Sequence, residues 1–253
     1  MRAENHYRTC KWETTLKKIK GNEKIMAGKL YGIGVGPGDP ELITLKALRL
    51  TKEADILAFP GNDPRESVAY KIMKGAYPQI EEKELLSLPM PMTKEKEELK
   101  RVHDKGAELI AHCLEKGKCV AFLTLGDPTV YSTYLYVHKR IKKMGYDTEI
   151  ISGIPSFCAV SARLDEGLVE KAQQLHVIPA SYQITEALKL PGTKVLMKAG
   201  KKMKEVKGQI KELGCEAVMI ENCGMAEEHI YRSQEEIPED AGYYSLIIVK
   251  EKN

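Results

Sequence analysis

Short runs of consecutive apolar, often β-branched residues alternate along this chain with longer segments whose apolar positions recur every three or four residues. The runs predict strands over Leu30–Val35, Asp55–Phe59, Glu84–Leu88, Val120–Leu125 and Glu149–Ile151. The periodic segments between them predict helices over Glu41–Thr51, Ser67–Ala76, Lys94–Lys116 and Thr129–Met144. In the long charged segment, the apolar positions Leu99, Val102, Ala107, Leu109, Ile110 and Leu114 keep the helical spacing. The second half repeats the alternation, with strands at Leu175–Ile178, Lys194–Met197, Ala217–Glu221 and Ser245–Lys250 and helices at Ile184–Lys189 and Met203–Leu213. Gly145 and Gly214 each sit where a helix would end before the next strand. Both halves read as α/β, and in the first the buried strands separated by helices imply a parallel sheet covered on both faces.

The expected division is an extension at 1–27, an N-terminal α/β domain at 28–153 and a C-terminal α/β domain at 154–253. The boundary falls in Ser152-Gly153-Ile154-Pro155-Ser156. With 253 residues the chain can build one large or two modest cores. No apolar run reaches the roughly 18 residues of a membrane span. No signal-peptide pattern is visible either, so the cytoplasm is the expected location. Charge is uneven: residues 1–27 carry seven Lys/Arg and three Asp/Glu, and the rest carries 32 basic and 33 acidic residues. A case for nucleic acid would rest on that extension alone, so none is expected as a partner. The strand start near Leu30 makes residues 1–25 dispensable in this reading, with Met26 as a second possible start. The six cysteines form no C-x-x-C pair and no zinc-type spacing with histidine, so no metal site and no disulfide are expected.

Two turns share one chemistry. Gly34-Val35-Gly36-Pro37-Gly38-Asp39-Pro40 and Leu125-Gly126-Asp127-Pro128 each lie between an apolar strand and a helical segment. Asp is placed to cap the helix and Pro to be its first residue. Such turns expose backbone N–H groups at the carboxyl edge of a sheet, where open α/β folds bind ligands. The glycines do not spell a dinucleotide fingerprint: counting from Gly34, the third glycine position holds Asp39, and the next strand ends in Phe59-Pro60 without a ribose-binding acid. A P-loop is absent as well. The residues therefore describe a nucleotide-like site without NAD or ATP signatures.

The stretch Gly32–Ala47, with its Gly34-Val35-Gly36-Pro37-Gly38-Asp39-Pro40 turn, resembles the opening motif of the tetrapyrrole methylase family. Leu123–Ser132 resembles that family's central loop, and Ser152–Ser156 its interdomain segment. Order and spacing agree from about residue 28 to 250. The continuation Thr129–Tyr134 is most similar to the branch that methylates C20 of precorrin-2 and cobalt-factor II. The resemblance implies two α/β domains with S-adenosylmethionine in the cleft between them, a homodimer, and a trough for a flat macrocycle. It makes Pro37, Leu125, Gly126, Asp127, Val130, Pro155, Ser156, Lys198 and Cys223 the candidate cofactor-binding residues. Four of these residues, at three places, depart from the family pattern. Pro155-Ser156 stands where relatives have Thr-Ala, and Pro155 has no N–H to donate. Lys198 replaces Met, and Cys223 replaces Gly.

Methyl transfer from a sulfonium is an in-line displacement with an already activated donor. The protein has mainly to align the reactants and exclude water, so no Ser-His-Asp or metal constellation is required and no catalytic base is assigned. His103, His112, His138 and His176 read as packing or solvated histidines, while Tyr131 and Tyr134 are candidates to orient the acceptor. Arg163, Lys198, Lys201, Lys202 and Lys204 are candidate partners for substrate carboxylates. The loops Phe59-Pro60-Gly61-Asn62 and Leu88-Pro89-Met90-Pro91-Met92 could line a flat apolar trough, or Met90 and Met92 could pack in the core. The competing functions are another corrin position, an RNA acceptor, and a module that binds cofactor or tetrapyrrole without turnover.

Overall fold

The structure, a computed structural model, describes residues 27–91, 93, 95–181 and 184–251. The expectations for residues 1–26, Met92 and Lys94 lie outside that range. The first half forms strands β1 (Lys29–Gly34), β2 (Ile56–Pro60), β3 (Glu84–Leu88), β4 (Val120–Thr124) and β5 (Asp147–Ile151). Its helices are α1 (Leu45–Glu53), α2 (Val68–Ala76), α3 (Lys96–Glu115) and α4 (Tyr134–Lys143). All pairings are parallel, in the order β3-β2-β4-β1-β5. Period-two alternation divides the sheet's side chains between two cores. Tyr31, Ile33, Leu57 and Phe59 pack with α1 and α2 on one face. Leu30, Ile56, Val120 and Phe122 pack with α3 and α4 on the other.

The second half forms α5 (Ser156–Leu164), β6 (Leu175–Pro179), α6 (Thr185–Leu188), β7 (Thr193–Met197), α7 (Met203–Glu212), β8 (Glu216–Glu221), β9 (His229–Tyr231) and β10 (Ser245–Lys250). This second sheet is mixed. The order is β6-β7-β10-β8-β9, and only β6 and β7 run parallel. β10 pairs antiparallel with both β7 and β8, and β8 with β9. The reason lies in the connections: a parallel crossover needs a dozen or more residues, usually a helix. No helix separates β8 from β9, so the chain turns back there, and β9 and β10 then both run antiparallel to β8. The helix α5 and the strand β9 are additions to the sequence reading. α5 is short and follows Pro155 directly, so its apolar residues read as part of the interdomain turn.

Capping chemistry sets where the elements begin. Asp39 accepts a 2.8 Å bond from the Glu41 N–H, with Pro40 opening a short 3₁₀ turn over Pro40–Leu42. The α-helix itself starts later, capped by Thr44 Oγ1 at 3.2 Å from Ala47 N. Asp127 caps no helix: α4 begins only at Tyr134. No helix among the described residues is long and apolar enough to cross a membrane.

Candidate functional site

Strand direction brings the loops of both sheets to one cleft. The carboxyl ends of β1 and β4 lead into the Gly34–Pro40 and Leu125–Thr133 loops. In the second sheet the carboxyl ends of β7 and β8 lie beside the amino end of β10, because β10 runs the other way: Met197 is opposite Leu246, and Glu221 opposite Ser245. The halves touch here. Gly36 and Gly126 exchange backbone bonds of 3.3 and 2.8 Å between the first two loops. A Cβ on Gly38 would lie 2.2 Å from the Cys223 carbonyl oxygen, a distance no side chain tolerates. Only glycine lets the opening loop approach the β8–β9 loop so closely.

Two adjoining cavities occupy the cleft. One of about 100 Å³ is bordered by Pro37, Leu125, Ser156, Val160, Met197, Lys198, Ile220, Cys223, Met225 and Tyr243–Leu246. The other, of about 320 Å³, is bordered by Pro60, Glu66–Ala69, Thr124–Asp127, Val130–Thr133, Pro155, Ser156, Met197, Lys198, Tyr243 and Tyr244. All nine candidate cofactor residues border one or both. Sequence reasoning missed Val160, Met197, Ile220, Met225, Tyr243 and Tyr244. They belong to no local motif, and only the pairing of β7, β8 and β10 assembles them. A larger hollow of about 550 Å³ lies elsewhere, against β8 and the far end of β10. Charged groups such as Glu166, Lys211, Arg232 and Lys250 dominate it, and none of the Gly-Asp-Pro loops reaches it.

Asp127, 7% exposed, shapes the central loop from inside. Its Oδ1 accepts from Thr129 N at 2.7 Å and Thr129 Oγ1 at 2.5 Å, and its Oδ2 accepts from Gly153 N at 3.0 Å. The carboxylate ties the central loop to the interdomain turn. Pro155 serves as the N-cap of α5, a position where its missing N–H costs nothing. Burial, then the nearby Glu228 carboxylate, push the Cys223 thiol up to about 11. It is neutral at physiological pH and a weak nucleophile. Burial opposes ionisation of Glu228, but the Gly224 N–H at 2.8 Å and Arg163 Nε at 2.7 Å bond it and hold its pKa below the usual range.

Of the other named residues, Tyr134 is buried in the core under α3 and α4, where its hydroxyl meets His138 Nδ1 at 2.9 Å and its ring packs on Phe122. It does not border the cleft. Tyr131 does, and is 43% exposed. Arg163 pairs with Glu228, Lys202 with Glu205 and Lys204 with Glu239. The Lys201 side chain lies outside the described residues. Met90 packs against the core, and among the described residues of the two proline-containing loops only Pro60 borders the cleft. Five cysteines are free among the described residues. Three of the five described non-glycine residues with positive φ, Tyr131, Lys198 and Asn222, stand on the loops around these cavities. Backbone strain of this kind collects at functional sites.

The profile of the Tetrapyrrole (Corrin/Porphyrin) Methylases matches residues 29–238. The chain is 37% identical over 171 residues to a protein of Methanocaldococcus jannaschii named "Probable cobalt-precorrin-2 C(20)-methyltransferase", covering 67% of this chain and 72% of that one. It is 32% identical over 236 residues to the cobalt-precorrin-2 C(20)-methyltransferase of Salmonella typhimurium, covering 90% and 98%. To the precorrin-2 C(20)-methyltransferase of a Sinorhizobium species it is 29% identical over 237 residues, covering 88% and 95%. Among solved structures, a cobalt precorrin-4 methyltransferase superposes with a TM-score of 0.69 at 22% identity, over 88% of this chain and 94% of that one. The Thermus thermophilus uroporphyrin-III C-methyltransferase complexed with S-adenosyl homocysteine gives 0.65 at 22% identity, over 88% and 98%. The chain, with its Gly-Asp-Pro loops closing on one cleft, belongs to the tetrapyrrole (corrin/porphyrin) methylase family.

Proposed function

We propose that this protein transfers the methyl group of S-adenosylmethionine to C20 of a precorrin-2-type ring, with cobalt already inserted, in cobalamin biosynthesis. The observation that carries the acceptor is likeness along nearly the whole chain to proteins named as C20-methyltransferases of precorrin-2 and cobalt-precorrin-2. The cleft supports the donor. Its larger cavity of about 320 Å³ is within the usual size of small-molecule sites. Its walls combine backbone loops, the rings of Tyr243 and Tyr244, and the apolar side chains of Val130, Val160 and Met197.

S-adenosylmethionine supplies a methyl group activated by a positive sulfur. Pro37, Leu125, Gly126, Val130, Pro155, Ser156, Lys198 and Cys223 form the walls that hold it, and Asp127 keeps the Gly126 loop in shape from behind. The neutral Cys223 thiol does not compete with the acceptor carbon for an alkyl group. The apolar side chains exclude water, and the fixed loops admit one carbon in line, so one product should dominate.

The reading takes 28–153 and 154–253 as the two domains. α5 supports that boundary, since Ala159, Val160 and Leu164 pack on the second sheet. It also makes the protein a cytoplasmic homodimer with no nucleic-acid partner and no resident metal. The near-balanced charge after residue 27 supports the third of these, and light scattering tests the dimer. The deciding experiment uses a ¹³C-methyl donor with precorrin-2 and with its cobalt form. NMR should find the label at C20 and faster turnover with cobalt present. A label on another ring carbon overturns the acceptor, and equal turnover overturns only the cobalt preference.

A further inference from the structure

Beyond the 320 Å³ cavity the cleft opens into a trough of about 750 Å³. The two share Val130–Thr133 and Lys198. A strap made by both halves stands between them. Tyr131, on the central loop, donates its hydroxyl to the Val177 carbonyl on β6 at 2.9 Å. Lys198, the first residue after β7, donates from Nζ to the Tyr131 carbonyl at 3.1 Å and lies 5.8 Å from the Tyr131 ring centroid. Both residues hold left-handed backbone, with φ of 49° and 60°. That conformation is strained for a side-chain-bearing residue. It directs the lysine back across the cleft instead of along the sheet.

The trough has an unusual lining. Leu135, Tyr136, Phe157, Val177 and Pro179 give apolar and aromatic walls. Lys139 on α4 and Lys198 on the strap supply positive charge, and no Asp or Glu is among its described lining residues. Yet the chain as a whole carries nearly as many acids as bases. Flat apolar walls with cations from two sides suit a planar polycarboxylate.

We propose that Lys198 and Lys139 are the specificity-determining residues of the acceptor site, each binding a carboxylate of the macrocycle. Tyr131 is the positioning residue that aims Lys198. The identity of the acceptor as a carboxylated ring rests on the function proposed above, but the site is testable without turnover.

Uroporphyrin, an octacarboxylate porphyrin, serves as the probe in a fluorescence titration of the full chain. Lys198→Met and Lys139→Met should each weaken its binding by about tenfold, the loss expected for a hydrogen bond to a charged group. Lys198→Arg should recover most of it. Rising salt should weaken the wild type more than the Met variants, a readout that a packing role would not move. Tyr131→Phe should weaken porphyrin binding less than Lys198→Met and flatten the salt dependence in the same direction. Lys198→Gly, which relieves the backbone strain, should fold and still bind the probe weakly. In Lys139→Met, a residue that borders neither donor cavity, S-adenosylhomocysteine affinity measured by calorimetry should change far less than porphyrin affinity. Unchanged porphyrin binding in both Met variants overturns the proposal, as does an equal loss of both ligands in Lys139→Met. Lysine-dependent porphyrin binding without methylation of cobalt-precorrin-2 supports this site and sinks the C20 reading instead.

Discussion

The two oxygens of Asp127 take three donors, two from Thr129 and one from the buried Gly153 N–H. Its loss should therefore cost more than the ~1 kcal/mol of an ordinary cap. Asp127→Ala leaves backbone donors unpaired, a penalty of about 2–4 kcal/mol. Asp127→Asn keeps the Thr129 bonds but turns an NH₂ toward the Gly153 N–H, and should cost about half as much. Urea unfolding with calorimetry on S-adenosylhomocysteine checks both. A folded Asp127→Ala protein with unchanged stability would remove the carboxylate from this role. Unchanged ligand affinity would remove the loop from the donor site. The sequence marks Asp127 as a turn residue, but its tie to Gly153, 26 positions away, has no local signature. The same holds for Tyr243 and Tyr244, which no motif announces. Pro37 and the Gly126-Asp127 pair were legible because backbone turns impose residue types. Aromatic walls impose none.

The elements divide along similar lines. The first sheet was readable because each strand is followed by a helix long enough to cross back. The second is not legible in this way where that alternation stops. Its centre is β10, buried at five of six positions and paired on both sides. Hydrophobic alternation tells which strands are buried but carries no arrow, so it could not reveal that the last strand enters the middle reversed. This order has an energetic consequence. Ile247 is fully buried, opposite Leu196 and Met219, whereas Ile230 lies on the edge strand β9 and is partly exposed. Ile247→Ala should cost about 3 kcal/mol and Ile230→Ala about 1 kcal/mol or less. Comparable losses in a denaturant titration would contradict the order β6-β7-β10-β8-β9.

At the scale of the molecule, reversing β10 is what completes the cleft. Had β10 run parallel to β7 and β8, Tyr243, Tyr244 and Ser245 would lie at the opposite edge of the second sheet. The reversal sets them beside Met197 and Ile220, facing the loops that follow β1 and β4. A donor bound here contacts both halves, and any ligand that binds only the folded chain stabilises it by mass action. At a hundred times its dissociation constant, S-adenosylhomocysteine should add about 2.7 kcal/mol. Because the walls are shared, the stabilisation should not stay in one half. Hydrogen exchange should slow in the opening loop around Pro37, in the central loop at 125–133, and also around Cys223 and Tyr243–Ser245. The far hollow, near Arg232 and Lys250, should exchange as before. Protection confined to the first sheet would mean that the ligand rests on the Gly-Asp-Pro loops alone and that the cleft is not its site. Protection near Arg232 would move the site to the hollow. Slowing on both sides of the cleft, lost together in Asp127→Ala, is the pattern expected of a donor gripped between two sheets.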